Sequence, residues 1–257
     1  MKDKEYILYD LLTYINKSEK ETNDTIVAKA LVENRYDLDN LSMDELSSRY
    51  FVSQPTISRF IKKMGYPNYN AFRNAMNLSI YTNKLRNPPL HNTDPEAIRK
   101  EVKAEIQEAL DCIDSIDIIK LKHIVEIMKD YNTIVFMGSE LSMAIAYKLQ
   151  LGLISLGKNV YNLYSVNYQE QMLHIIEKHD DVLMICISIE GRWISRFEDL
   201  KNIKELPYKI LWTIEDDPVD ANLFDLVYHF GHSVKEDLGY NELMYFILLV
   251  NRMIKND

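Results

Sequence analysis

Cysteine, glycine and long apolar runs are scarce in this chain, and each scarcity removes a class of protein. The two cysteines, Cys112 and Cys186, sit in apolar stretches; they offer no disulfide framework and read as small buried hydrophobes of a reducing compartment. The longest unbroken apolar run is Leu243 to Val250, far below the ~20 residues of a membrane span. The opening residues, Met1 to Glu5, do not lead into the 7–15-residue apolar core of a secretory signal. The expected location is therefore the cytoplasm, with no membrane partner. What is present, 47% hydrophobic and 27% charged residues over 257 positions, is the mix of an ordinary globular chain of about two domains.

One further absence is local. From Leu46 to Thr93 there is no Asp or Glu, while Arg49, Arg59, Lys62, Lys63, Arg73, Lys84 and Arg86 contribute seven positive charges. The whole chain carries −9. Such asymmetry points to a polyanion as partner of the first part alone.

Helical periodicity governs residues 1–86, with early helices around Ile7 to Ile15 and Thr25 to Asn34. The stretch at 87–95, with Pro88, Pro89 and Pro95, cannot continue a helix and reads as a linker. A helix follows from Glu96 with Ile98, Val102, Ile106, Leu110 and Ile113 along one side, then another from Asp117 to Met128. Beyond residue 131, β-rich runs begin at 133, 159, 182, 208 and 226. They alternate with helical segments at Leu141 to Leu156, Gln169 to Lys178 and Ser195 to Leu206. Strands apolar on both faces and separated by helices predict a parallel sheet covered on both sides. The fold class is α/β: an N-terminal all-α domain over 1–86, then a doubly wound parallel-sheet domain over 96–257. The last helix, Asp237 to Ile254, is apolar nearly all round, which predicts cover beyond its own sheet, either deep packing or a second subunit.

Residues 42–65 read as two helices joined by a tight turn. Ser42-Met43-Asp44-Glu45 has capping-box spacing. Val52 plugs the turn, Ser53 caps the next helix, and Pro55 lies in its first turn, where a missing donor costs nothing. Ile57, Phe60, Ile61 and Met64 fall at i, i+3, i+4 and i+7, and Gly65 ends the helix. With that quartet inward, Gln54, Thr56, Ser58, Arg59, Lys62 and Lys63 are expected to face out. Gln and Arg suit base edges; Thr, Ser and Lys suit phosphates. This is the pattern of a helix-turn-helix whose second helix reads double-stranded DNA.

The segment LSMDELSSRYFVSQPTISRFIKKMGYPNYNAFR resembles the DNA-binding domain of RpiR-type transcription regulators. By that resemblance Gln54, Thr56, Ser58 and Arg59 enter the major groove and Lys62, Lys63 and Tyr66 hold the backbone, with the capping Ser53 also counted among the DNA-binding residues; the expected partner is a palindromic operator bound by a homodimer or tetramer. The resemblance also implies a sugar isomerase (SIS) domain. Residues 116–254 look like one, with a first loop at FMGSELS and a second at ISIEGRW.

Relatives hold a sugar phosphate with G-x-G-x-S and S-x-S-G-x-T loops. Ser139, Ser142, Ser188, Glu190 and Arg192 are the corresponding candidates here, but Glu140, Glu190 and Trp193 depart from the pattern. Two carboxylates facing a phosphate dianion oppose binding by about 4 kcal/mol per close pair, against about 8 kcal/mol for micromolar affinity. Arg192 is placed to neutralise Glu190 or to meet the anion itself. A sugar phosphate, another small metabolite and no ligand are all open outcomes. An isomerase would need a proton-moving group, for which Glu190, Glu170 and His174 are the candidates; the DNA-reading segment argues against catalysis. His229-x-x-His232 lacks further ligands and helical context for zinc. No cofactor and no metal are expected.

Overall fold

The computed structural model describes residues 7–86, 94–163, 168–189, 191, 207–219, 221–231 and 236–255. The expected helix at Ser195 to Leu206, together with Glu190, Arg192, Trp193 and His232, lies outside them. The chain divides into two compact units, Met1–His91 and Asn92–Asp257.

The first unit holds five helices: α1 (Ile7–Lys17), α2 (Asn23–Glu33), α3 (Met43–Tyr50), α4 (Gln54–Lys63) and α5 (Tyr69–Arg86). They enclose one apolar core to which Leu11, Leu31, Leu46, Phe60, Phe72 and Met76 contribute. The capping box at Ser42 is formed. The Ser42 hydroxyl accepts the Glu45 N–H at 3.2 Å, and the Glu45 carboxylate accepts the Ser42 N–H at 2.8 Å. That backbone bond, reinforced by the Ser42 hydroxyl, holds the Glu45 carboxyl below its ordinary range.

The turn after α3 forces Phe51 into the left-handed region at φ 54°, ψ 37°. It is the one non-glycine residue at positive φ among those described, and its side chain is 95% exposed.

The second unit opens with α6 (Pro95–Asp114) and α7 (Ile118–Asp130), then β1 (Thr133–Gly138), α8 (Glu140–Ile154), β2 (Asn159–Leu163) and α9 (Tyr168–Lys178). It closes with β3 (Val182–Ile187), β4 (Tyr208–Thr213), β5 (Leu226–His229) and α10 (Glu236–Lys255). The sheet is parallel in the order β2-β1-β3-β4-β5. Alternation along the strands splits its apolar residues between two cores. Ile134, Phe136, Ile185 and Trp212 face α7, α8 and α10, whereas Val135, Met184, Cys186 and Leu211 face α9. Both faces are covered, which is the doubly wound arrangement.

α10 packs against α6, α7 and α8. Trp212 meets Phe246 edge-on at 5.0 Å, and Phe230 and Tyr228 stack on the same ring. Its outer side keeps Met244 and Leu248 exposed.

The left-handed backbone at Phe51 costs about 1–2 kcal/mol in an L-residue, and the exposed ring recovers little of it by burial. Replacing Phe51 with glycine is expected to stabilise the first unit by about 0.5–1 kcal/mol after the added freedom of the unfolded chain is counted. Urea unfolding of Phe51→Gly beside the parent measures this, and a lower midpoint contradicts it.

Candidate nucleic-acid interface and anion-binding loops

Packing sets the orientation of α4. Ile57, Phe60, Ile61 and Met64 are all buried, with Phe60 edge-on to Tyr14 at 5.3 Å. Ser53 caps the helix by accepting the Thr56 N–H at 3.3 Å. Ser53, Arg59 and Lys62 are then exposed, with Gln54 and Ser58 half-buried beside them. The Arg59 guanidinium also donates to the Thr56 hydroxyl at 3.3 Å, which holds it along the helix. The Gln54 amide donates to the Asp44 carboxylate of α3.

Two expected contact residues face the wrong way. Thr56 is only 7% exposed, its hydroxyl 2.9 Å from that of Ser53; it completes the cap rather than meeting DNA. Tyr66 is 6% exposed, with its ring edge-on to Phe72 at 5.4 Å. Position 66 lies past the end of α4, where the chain turns back on the core, so helical spacing no longer governs it. Tyr66 is a core residue and not a phosphate contact.

The acid-free segment is also less free in space than in sequence. Lys63 lies 2.9 Å from the Asp24 carboxylate of α2, and Arg73 pairs with Asp39 at 3.4 Å. Arg49 donates to the neutral Asn34 side chain at 2.8 Å. Among the described residues, Arg49, Arg59 and Lys62 have no acid partner. Neither Asp24 nor Asp39 was recognisable as part of this surface from the sequence, because both come from other elements.

In the second unit the strand order reverses between β1 and β3, which pair with Gly138 opposite Ile187. The loops leaving these strands therefore emerge side by side at the carboxyl edge, where open α/β sheets bind ligands. A Cβ on Gly138 would stand 2.7 Å from the Ile187 carbonyl oxygen and 2.7 Å from Met143 Cε. Glycine is required there by contact, not by conformation. Ser139 caps α8, its hydroxyl accepting the Ser142 N–H at 3.3 Å and lying 2.9 Å from the Ser142 hydroxyl. Ser142 and Ser188 are buried.

Ser139 is partly exposed and has the Tyr240 hydroxyl of α10 at 3.4 Å. Tyr240, a hundred residues away in the chain, had no local signal. Gly191, at φ 65°, turns the second loop, and its N–H donates to the Ser188 carbonyl at 3.2 Å. Glu140 opens α8; His174 is exposed on α9 and His229 ends β5. Among the described residues no group of three His, Cys, Asp or Glu side chains is placed to hold a metal ion, and no helix is long and apolar enough to cross a membrane.

Residues 9–83 match the model of the helix-turn-helix domain of the rpiR family. An uncharacterised helix-turn-helix-type transcriptional regulator of Thermotoga maritima is 25% identical over 210 residues, covering 79% of this chain and 71% of its own. Among solved structures, the NanR protein of Vibrio vulnificus, complexed with ManNAc-6P, superposes with a TM-score of 0.50 at 16% identity, over 96% of this chain and 90% of its own. A candidate sugar-phosphate isomerase of Listeria monocytogenes superposes at 0.50 and 17% identity, over 63% of this chain and 91% of its own. A candidate phosphosugar isomerase of Bacteroides fragilis does so at 0.50 and 16%, over 61% and 89%.

An alanine at 138 would press on backbone that central strand pairing fixes, so Gly138→Ala is expected to cost about 1–3 kcal/mol. Thermal unfolding reads the loss; an unchanged midpoint would mean that β1 and β3 can separate. With α4 exposing Arg59 and Lys62 in the first unit and a parallel sheet with adjoining loops in the second, residues 9–83 form a helix-turn-helix domain of the rpiR family, and the second unit has the fold of the candidate sugar-phosphate isomerases it superposes on.

Proposed function

We propose that this regulator binds a palindromic operator as a homo-oligomer through paired α4 helices, and that its second unit senses an anionic sugar or a related small metabolite without catalysing its conversion. The orientation of α4 carries the DNA reading: its apolar quartet is buried, and that leaves Arg59 and Lys62 outward with Ser53, Gln54 and Ser58 alongside. Arg59 is the base-reading side chain, since a guanidinium pairs with two acceptors of guanine. Lys62 is a phosphate contact, and Ser53 and Ser58 are supporting donors. Such a protein works where the chromosome is, in the cytoplasm.

For the second unit the supporting observation is the juxtaposition of Ser139 and Ser142, at the amide-rich start of α8, with the Ser188 loop. Free amides at a helix start favour an anion. NanR binds ManNAc-6P, which makes hexosamine phosphates the first compounds to try. Glu190 and Arg192 stand in the second loop by sequence and set which headgroup is tolerated. The ligand acts by favouring one placement of the DNA-binding units, and only to the extent that it binds the two placements unequally.

A palindrome requires two readers. Tyr147, Leu151 and Ile154 on the outer side of α8, and Met244 and Leu248 on the outer side of α10, form an apolar surface suited to a second copy.

Selection of bound fragments from genomic DNA, followed by a test of sugar phosphates for release, examines both halves of this reading. Failure to retain duplex DNA at low ionic strength would end it. Turnover of an aldose or ketose phosphate that Glu190→Gln abolishes would make the chain an enzyme. Arg59→Ala is expected to lose about 1–3 kcal/mol at one base position. By contrast, Lys62→Ala should weaken all sequences alike and flatten the salt slope by about 0.9. A monomer in sedimentation at micromolar concentration would remove the paired-helix geometry.

A further inference from the structure

Lys63 was expected among the cations that hold DNA, and its position on α4 fits that role; its surroundings do not. The ammonium is held from two other helices at once, at 2.9 Å by the Asp24 carboxylate of α2 and at 3.2 Å by the Tyr14 hydroxyl of α1. The same hydroxyl donates to Asp24 at 3.2 Å, and the ammonium lies 5.0 Å from the centre of the Tyr14 ring. All three groups therefore meet at one point. The hydrogen bond it donates to Asp24, then the one it donates to Tyr14, holds the Lys63 ammonium above its ordinary range. Asp24 is 32% exposed and Lys63 57%, so the pair is reachable from solvent. Both line an open cleft of about 450 Å³ that Arg59 also lines. The carboxylate thus stands beside the reader side chain, on the surface that meets DNA.

Resting on the DNA-binding reading above, we propose that Asp24 is a specificity-setting residue: it occupies the Lys63 ammonium as a phosphate would, and so withholds one cation from sequence-independent binding. Backbone contacts carry no sequence information, whereas base contacts do. Removing a cation from the first set lowers affinity for every duplex and leaves the discrimination supplied by Arg59 a larger share of the total. The arrangement also has an orienting effect. An acid beside the reader helix repels phosphates that approach on the α2 side, so the duplex backbone is steered toward Lys62.

The test is a double-mutant cycle read as the salt dependence of binding to a short duplex of arbitrary sequence, with thermal unfolding of each variant alongside. Each phosphate neutralised contributes about −0.9 to the slope of log K against log salt. Lys63→Gln alone should leave the slope of the parent unchanged, because the cation is already occupied. Asp24→Asn should steepen it by about 0.9, which corresponds to about 3.5-fold more affinity lost between 50 and 200 mM salt. The double variant should return to the parental slope.

A slope flattened by about 0.9 in Lys63→Gln would show Lys63 on a phosphate despite its partner, and would overturn the proposal. So would steepening by Asp24→Asn that persists in the double variant, since that is a general field effect. If Asp24→Asn fails to fold, Asp24→Ser takes its place in the cycle, with the same steepening of about 0.9 expected. Duplex binding by none of the proteins, the parent included, removes the DNA-binding reading and this inference together; binding by all four with one common slope removes this inference alone.

Discussion

Phe60 is fully enclosed, edge-on to Tyr14, and with Ile57, Ile61 and Met64 it fixes the rotation of α4 about its own axis. Burying one such side chain contributes about 1.5–3 kcal/mol, while an exposed ion pair such as that of Lys63 and Asp24 contributes about 0–1 kcal/mol. Packing therefore decides which residues of the reader helix point outward, and electrostatics acts on what packing leaves. Every assignment on the DNA side follows from that order of magnitudes. Arg59 and Lys62 are presented because they lie opposite the quartet. Thr56 is lost to the surface because it sits beside Ile57 on the cap.

The second unit obeys a different constraint. Its central strands are buried over their whole length, so the only places where polar chemistry can be displayed are strand ends. The crossover between β1 and β3 brings two such ends together. Ser139 and Ser142, joined by their hydroxyls, offer a preformed start to α8, and Tyr240 closes the site from the last helix.

Much of this architecture was legible in the sequence because it depends on short-range rules. The Ser42 capping box, the Ser53 cap and the five strands follow from spacing and from β-branched or aromatic composition over a few residues. The expectation for the last helix was met in part: its inner side is covered by α6, α7 and α8, with Met244 and Leu248 left outside. What spacing did not reveal is what arrives through space. Counting acids between Leu46 and Thr93 gave none, yet Asp24 of α2 and Asp39 of the turn before α3 reach Lys63 and Arg73 through space. Tyr66, expected on the backbone through the family resemblance alone, lies beyond Gly65 and is buried against Phe72.

Gly138 carries a consequence for which positions around the first loop can vary. Any side chain there would bring a Cβ within 2.7 Å of the neighbouring strand's Ile187 carbonyl oxygen, so the fold itself penalises drift at that position. The positions that follow it, Ser139 and Glu140, open α8, and Ser139 keeps part of its surface exposed. Variation at this edge of the sheet is thus channelled into the start of α8, while the glycine beneath it is held by strand packing.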